Sequence, residues 1–202
     1  DQRVVIRPRA LMLAGALAAA SWSAQALDAP LVADTTLNVA LPASNFGALP
    51  TLNVGGGATA LLQFGLAGLP GGTTPAKVVK ANLRLFVNRV AVPGAIEVVA
   101  VRAPWGEATA TAATAPVNGG AGSGLTLPVQ RAGQFLSLDV TSLVREWVAN
   151  PAANFGVLLQ PDLTAPSTIV FLDSKENTAT AHVAALDIVL ADQGPQGPIG
   201  PR

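Results

Sequence analysis

The chain contains no cysteine and no tyrosine among its 202 residues, and His182 is its single histidine. Without thiols, neither a disulfide framework nor a thiolate metal site can form, so the core has to stabilise the folded state. One histidine without cysteine also does not make the usual tetrahedral zinc site. Half of the residues are hydrophobic, which is enough to bury a sizeable core in one domain.

Charge is scarce as well. Lys, Arg, Asp and Glu make up 12% of the residues, and the formal net charge at pH 7 is zero. Nucleic-acid binding depends on basic patches that neutralise phosphates. We therefore expect no nucleic-acid partner.

No assembled catalytic motif accompanies the single histidine. No serine lies in a G-x-S-x-G turn, and the glycines at 55–57 lack the Gly-Lys-Ser/Thr of a phosphate loop, so they are interpreted as a strand-end turn. A glycosidase needs only two carboxylates, and that alternative stays open. The glutamates in question each have an adequate structural explanation: Glu97, Glu107, Glu146 and Glu176. We expect no enzymatic activity, and we predict no catalytic, cofactor-binding or metal-binding residues.

The first 26 residues have the pattern of an export signal. Three arginines within the first nine residues precede a short apolar run and an A-x-A motif that ends at Ala26. The apolar run is shorter than the roughly 20 residues that a membrane-spanning helix needs. We predict a signal peptide over residues 1–26, cleaved after Ala26, and a secreted or cell-surface protein with no membrane span in the mature chain.

The middle of the chain has the pattern of β-structure. In residues 80–87, "KANLRLFV", apolar residues alternate with Lys80, Asn82, Arg84 and Phe86, and residues 186–190 repeat this period of two. Further short strands are predicted between turn clusters, at residues 37–41, 61–64, 96–101, 135–138, 157–160 and 168–172. We predict one all-β domain over residues 27–192, a jelly-roll-like β-sandwich. The glycine-rich residues 118–124 are predicted to form an exposed loop.

One segment, residues 139–150, has helical spacing instead. Its apolar residues fall on a single helical face: Leu143, Val144, Trp147 and Val148. Asp139 or Thr141 is available as the N-cap, and Asn150 followed by proline is a stop signal. We predict one short helix that closes an end of the sandwich.

A series of weak motifs in a fixed order carries a family resemblance. The motifs are "DTTLN" (34–38), "SNFG" (44–47), "LNVGGG" (52–57), "LLQFGLAGLP" (61–70), "ANLRLFV" (81–87), "WGEATAT" (105–111), "LDVTSLVREWV" (138–148), "NFGVLLQ" (154–160) and "FLDSKE" (171–176). Together they resemble the DNRLRE-domain family of secreted bacterial β-sandwich modules, which is related to a class of carbohydrate-binding modules. The resemblance implies a non-catalytic module whose partner is an extracellular polysaccharide.

Two tryptophans are candidates for stacking on a sugar ring. Trp105 follows a predicted strand, and Trp147 lies on the apolar face of the predicted helix. Large apolar side chains are buried by default, so core packing is the favoured interpretation of both. The ligand-binding residues stay unknown at this point.

Three acidic residues are oxygen donors of the kind that calcium prefers: Asp34, Asp173 and Glu176. No compact D-x-D-x-D loop surrounds them, so turn capping and hydrogen bonding to backbone are favoured over a calcium site. The motif "NFG" occurs at 45–47 and 154–156, and both copies are predicted to be turns with a phenylalanine plug.

The last ten residues, 193–202, contain three triplets that begin with Gly-Pro, as in collagen. The chain opens on Asp1 rather than methionine, and the glycine period stops at Arg202, so we expect the natural chain to extend further at both ends. We predict a collagen-like stalk that joins three heads into a homotrimer. Two functions stay open: a carbohydrate-binding or adhesion module on this stalk, or a purely structural head without glycan binding.

Overall fold

A computed structural model describes residues 24–122 and 124–191 of the chain. These residues form eleven β-strands in two sheets, one α-helix and three short 3₁₀ turns. The prediction of an all-β sandwich is therefore confirmed. The collagen-like triplets and nearly all of the predicted signal peptide lie outside the described residues.

The first sheet has six strands, and all of its pairings are antiparallel. The order is β1-β11-β5-β10-β3, and β8 also pairs with β5. Its strands are β1 (Ala24–Ala29), β3 (Thr51–Val54), β5 (Val78–Val92), β8 (Gln134–Asp139), β10 (Ile169–Asp173) and β11 (Ala185–Ala191). The long strand β5 is thus the centre of this sheet.

The second sheet has five antiparallel strands in the order β2-β4-β9-β6-β7. Its strands are β2 (Leu31–Asn38), β4 (Ala58–Phe64), β6 (Gly94–Ala100), β7 (Thr126–Val129) and β9 (Val157–Pro161). The main hydrophobic core takes buried residues from both sheets.

The period of two in β5 decides which face of the first sheet is buried. Ala81, Leu83, Leu85 and Val87 are buried in the main core. The residues between them, among them Phe86, lie on the opposite face and are partly exposed. The predicted alternation in residues 80–87 is confirmed, and the face that carries Phe86 is the outer face of the first sheet.

The helix α1 (Thr141–Ala149) is the one predicted, and Leu143, Val144 and Trp147 are its buried residues. The prediction of its N-cap was wrong, because Val140 occupies that position. Asp139 instead accepts hydrogen bonds from the backbone N–H and the hydroxyl of Thr141, at 2.9 and 2.5 Å. A short polar side chain that bonds to the backbone two residues ahead forms such a turn just before a helix.

Strand β2 begins and ends earlier than predicted. The predicted run at residues 37–41 overlaps it by two residues, and the chain turns after Asn38. The centre of β2 consists of Asp34, Thr35 and Thr36, which are polar and yet buried. A search for apolar alternation therefore places this strand too late.

Strand β1 spans the predicted cleavage point. Ala24 pairs with Ala191 and Ala26 pairs with Val189, so three paired residues precede the predicted cut. Cleavage after Ala26 would leave residues 27–29 of this strand. The signal peptide stays a prediction.

The glycines at 55–57 form the turn between β3 and β4, as predicted. All three have positive φ, and a Cβ on Gly55 would lie 1.8 Å from the carbonyl oxygen of Thr168. This position therefore requires glycine for both its backbone angle and its close approach. In the part of the chain that the structure describes, no helix is long and apolar enough to cross a membrane.

Candidate functional site

Three aromatic rings meet on the outer face of the first sheet. Phe86 on β5 and Phe135 on β8 are direct register partners, with ring centroids 5.0 Å apart and planes at 63°. His182 stacks on Phe86 at 3.9 Å and 28°, and it meets Phe135 edge-on at 5.3 Å. We call Phe86, Phe135 and His182 the aromatic patch.

The period of two places both phenylalanines outward. Leu85 and Val87 on either side of Phe86 are buried in the core, and so is Leu136 next to Phe135. Phe135 is 53% exposed, and it is among the large apolar side chains that the fold leaves open to solvent. An exposed aromatic cluster on a rigid sheet is a common feature of binding surfaces.

His182 reaches the patch from the loop between β10 and β11. The residue before it, Ala181, has a φ of 54°, which is left-handed and unusual for a residue other than glycine. Such a conformation costs on the order of 1 kcal/mol and persists where surrounding contacts fix it. The loop is therefore held in a strained shape that places the imidazole on the ring of Phe86.

The carboxylate of Asp173 supplies the contacts that hold the loop around Ala181 and His182 in place. Its side chain is fully buried, and it accepts hydrogen bonds from Asn88 Nδ2, Asn177 Nδ2 and Thr180 Oγ1 at 2.9, 3.1 and 2.5 Å. The backbone N–H of His182 donates to Asp173 Oδ2 at 3.3 Å, and His182 Nδ1 lies 3.5 Å from the same oxygen. Asp173 thus acts as a hydrogen-bonding hub. Its bond to the backbone of His182 is of the predicted kind, whereas its three side-chain partners were not predicted.

Polar side chains lie next to the patch on the same face. Arg84, two residues before Phe86, forms an ion pair with Asp187 on β11, and both side chains are partly exposed. Hydrogen bonding to Asp187 raises the pKa of Arg84. The guanidinium of Arg89 lies 3.5 Å from the ring centroid of Phe171, a cation–π contact. Aromatic faces beside exposed donors and acceptors can hold a molecule that is apolar on one side and hydroxylated at its edges.

The two candidate tryptophans are not on this face. Trp147 is 3% exposed and packs in the main core, so its interpretation as a core residue is confirmed. Trp105 is partly buried against a smaller cluster, and its indole N–H donates to the carbonyl of Phe155 at 2.8 Å.

A groove runs along one side of α1. Its volume is about 450 Å³. It is mostly apolar, and none of the described residues that line it is charged. These lining residues are Leu66, Ala67, Leu69, Pro70, Gly72, Thr73, Trp147, Val148, Pro151 and Asn154. None of the carboxylates considered as candidates lines this groove.

Asp34 and Glu176 come together with Glu107 and not with Asp173. One ligand atom from each of the three carboxylates lies within 4.8 Å of the others. We call Asp34, Glu107 and Glu176 the carboxylate cluster. Lys175 Nζ contacts Glu176, and it lies 3.0 Å from Glu107 Oε2. The sequence indicated Asp34 and Glu176 as oxygen donors, but no spacing pointed to Glu107 as their neighbour.

Hydrogen bonds tie the carboxylate cluster to the backbone. The N–H of Asp34 donates to Glu107 Oε1 at 2.8 Å, and the N–H of Lys175 donates to Asp34 Oδ2 at 2.9 Å. Burial raises the pKa of Asp34 to about 7, and the nearby carboxylates of Glu176 and Glu107 add to this rise. The two neighbouring glutamates raise the pKa of Lys175, which stays charged.

The other two glutamates have separate contacts. Glu97 is buried and accepts a hydrogen bond from Gln160 Nε2 at 3.1 Å. Glu146 is exposed and lies 3.4 Å from Arg102. These contacts supply the structural explanation that the sequence analysis expected for them.

Both "NFG" motifs form turns, as predicted. Asn45 Oδ1 accepts from the N–H of Gly47 at 3.1 Å, and Asn154 Oδ1 accepts from the N–H of Gly156 at 3.3 Å. Phe155 packs against the smaller hydrophobic cluster. These motifs therefore shape loops of the sandwich.

Comparison with known proteins places this architecture in a family. A search of curated proteins gave no match. The family model of carbohydrate-binding module family 96 matches residues 25–187. This range includes nearly all of β1, the whole of β2 to β10 and the first three residues of β11. The chain belongs to carbohydrate-binding module family 96.

Proposed function

We propose that the protein binds an extracellular polysaccharide through the aromatic patch and has no catalytic activity of its own. The observation that carries this proposal is the exposed ring of Phe135, packed with Phe86 and His182 on the outer face of a sheet. Sugar rings present C–H groups on one face and hydroxyls at the edge. The C–H groups suit an aromatic surface, and the hydroxyls suit hydrogen bonding to Arg84 and Asp187 beside it.

The shape of the site favours a polysaccharide over a small free sugar. Phe86 and Phe135 project from two neighbouring strands, and Phe135 is 53% exposed, so the patch faces solvent on the outside of the sheet. A small ligand is usually held in a concave pocket that covers most of its surface. An open face can instead contact one side of a long chain or of a packed fibre.

The expected setting is outside the cell, with the head carried on a stalk. The basic and apolar start of the chain and its A-x-A motif support secretion. The Gly-Pro triplets of residues 193–202 support a collagen-like stalk and a homotrimer. Three heads on one stalk would raise weak single-site binding through high effective concentration, which suits adhesion. We also propose the narrower assignment of this module to the DNRLRE-domain family.

The second candidate is a structural head without glycan binding, in which the exposed Phe135 contacts another copy of the head. Sedimentation separates the two arrangements. If the stalk drives assembly, a chain that continues the glycine period sediments as a trimer and residues 27–192 alone as a monomer. A trimer of residues 27–192 would support the structural head and contradict assembly by the stalk.

Binding of the full chain to an array of polysaccharides and oligosaccharides tests the proposal. We expect Phe135→Ala to weaken binding to the selected glycan at least about tenfold, which corresponds to about 1.4 kcal/mol, because an aromatic stacking surface is removed. The matched control is Leu163→Ala, since Leu163 is also apolar and is 66% exposed. Binding that is equal in wild type and Phe135→Ala would contradict the assignment of the site, and an array without any bound glycan would contradict the function.

A further inference from the structure

Two oxygens of the carboxylate cluster are buried and have no hydrogen-bond partner among the residues that the structure describes. They are Asp34 Oδ1 and Glu176 Oε2. Asp34 is 1% exposed, so bulk water does not solvate its free oxygen. A buried carboxylate oxygen without a partner is costly, and one that faces other carboxylates is more costly still. Within the described part of the chain, no positively charged or proton-donating group faces these two oxygens.

Lys175 does not supply that group. Its ammonium is directed to Glu107 Oε2 and Glu176 Oε1, which leaves the two unpartnered oxygens as they are. Three carboxylates and one ammonium carry two formal negative charges when all are ionised. The raised pKa of Asp34 has the same origin, because burial and the two glutamates penalise its charged form.

We propose that a calcium ion binds between Asp34, Glu107 and Glu176. Each contributes an oxygen, and the three oxygens lie within 4.8 Å of one another. Calcium bonds to oxygen at about 2.3–2.6 Å, so one ion spans two oxygens that are about 4.8 Å apart. Magnesium dehydrates reluctantly and is usually held by one or two carboxylates and several waters, so a site with three carboxylates favours calcium.

The position of the cluster gives such an ion a structural role. Asp34 lies on β2 of the second sheet, and Glu176 follows β10 of the first sheet. Glu107 comes from the long connection between β6 and β7. A bound ion would therefore link β2 of the second sheet to the segment that follows β10 of the first sheet, and it would fix the start of the loop that carries His182.

Calcium titration of the chelator-treated full chain, followed by calorimetry and thermal unfolding, tests the proposal. At calcium about 100-fold above Kd, we expect the unfolding midpoint to rise by about 5 °C, and magnesium at the same concentration to have a smaller effect. Glu176→Gln and Glu107→Gln should each lower calcium affinity at least about tenfold. Glu146→Gln is the matched control, because Glu146 pairs with Arg102 outside the cluster.

Lys175→Met distinguishes this site from calcium bound elsewhere on the surface. Its ammonium touches two of the proposed ligands and repels a second cation, so its removal should tighten calcium binding at least about tenfold. The proposal is overturned if millimolar calcium produces neither heat nor a midpoint shift in the wild type. It is also overturned if Glu176→Gln and Glu107→Gln respond to calcium as the wild type does. A wild type that gives no response to calcium would mean that a proton lies between Asp34 and Glu176.

Discussion

Replacing Trp147 with alanine is expected to lower the free energy of unfolding by about 3–5 kcal/mol, the usual cost of truncating a large buried aromatic side chain. Trp147 is 3% exposed, and it packs in the main core together with Leu143 and Val144 of the same helix. The loss combines the buried apolar surface with the cavity that remains. Equilibrium unfolding in urea, monitored by circular dichroism, measures it.

The same variant also tests whether the groove beside α1 binds sugar, since Trp147 is one of its lining residues. Under conditions in which the variant is still folded, we expect glycan binding to be unchanged. Near-wild-type stability combined with lost glycan binding would show that Trp147 contacts the ligand and that the aromatic patch is not the main site.

Asp173→Ala is expected to cost at least about 3 kcal/mol, since each buried polar group that loses its partner costs about 1–3 kcal/mol. The buried carboxylate accepts from Asn88, Asn177 and Thr180 and from the backbone of His182. These donors come from β5 and from the loop between β10 and β11. Removing the carboxylate therefore frees the strained conformation at Ala181 as well.

Asp173→Asn is the companion variant, because it keeps the size of the side chain and one acceptor oxygen. We expect it to be less destabilised than Asp173→Ala. Both variants should bind glycan more weakly than their stability alone explains, because His182 loses its support on Phe86. Full glycan binding by a folded Asp173→Ala protein would show that the loop does not need this hub to form the site.

Strong local patterns predicted the main elements of the fold. The alternation in β5 and β11 and the helical spacing of Leu143, Val144 and Trp147 are dictated by which side chains face the core. The four-residue strands β3 and β7 are too short for such a pattern. The predicted position of β2 was too late in the chain because the buried centre of this strand is polar. Its polar side chains are stabilised by tertiary contacts, such as the hydrogen bond from the N–H of Asn53 to the hydroxyl of Thr36, which no local pattern indicates.

The candidate site was only partly accessible from the sequence. Phe86 could be assigned to the outer face from its alternation with buried neighbours, and the same argument applies to Phe135 beside Leu136. That these two rings are register partners depends on the pairing of β5 with β8, which no local pattern gives. His182 joins them only through the fold of a loop held by Asp173. The carboxylate cluster is equally non-local, since Glu107 and Glu176 come from different loops.

The most direct test of the proposed function uses His182 as a reporter, because it is the only histidine in the chain. Proton NMR of the untagged full chain resolves the ring signals of one imidazole, stacked on Phe86 and next to Phe135. During titration with the glycan selected on the array, we predict that these signals shift and saturate with the same Kd as binding. Signals that do not move while the protein becomes saturated with glycan would contradict binding at the aromatic patch.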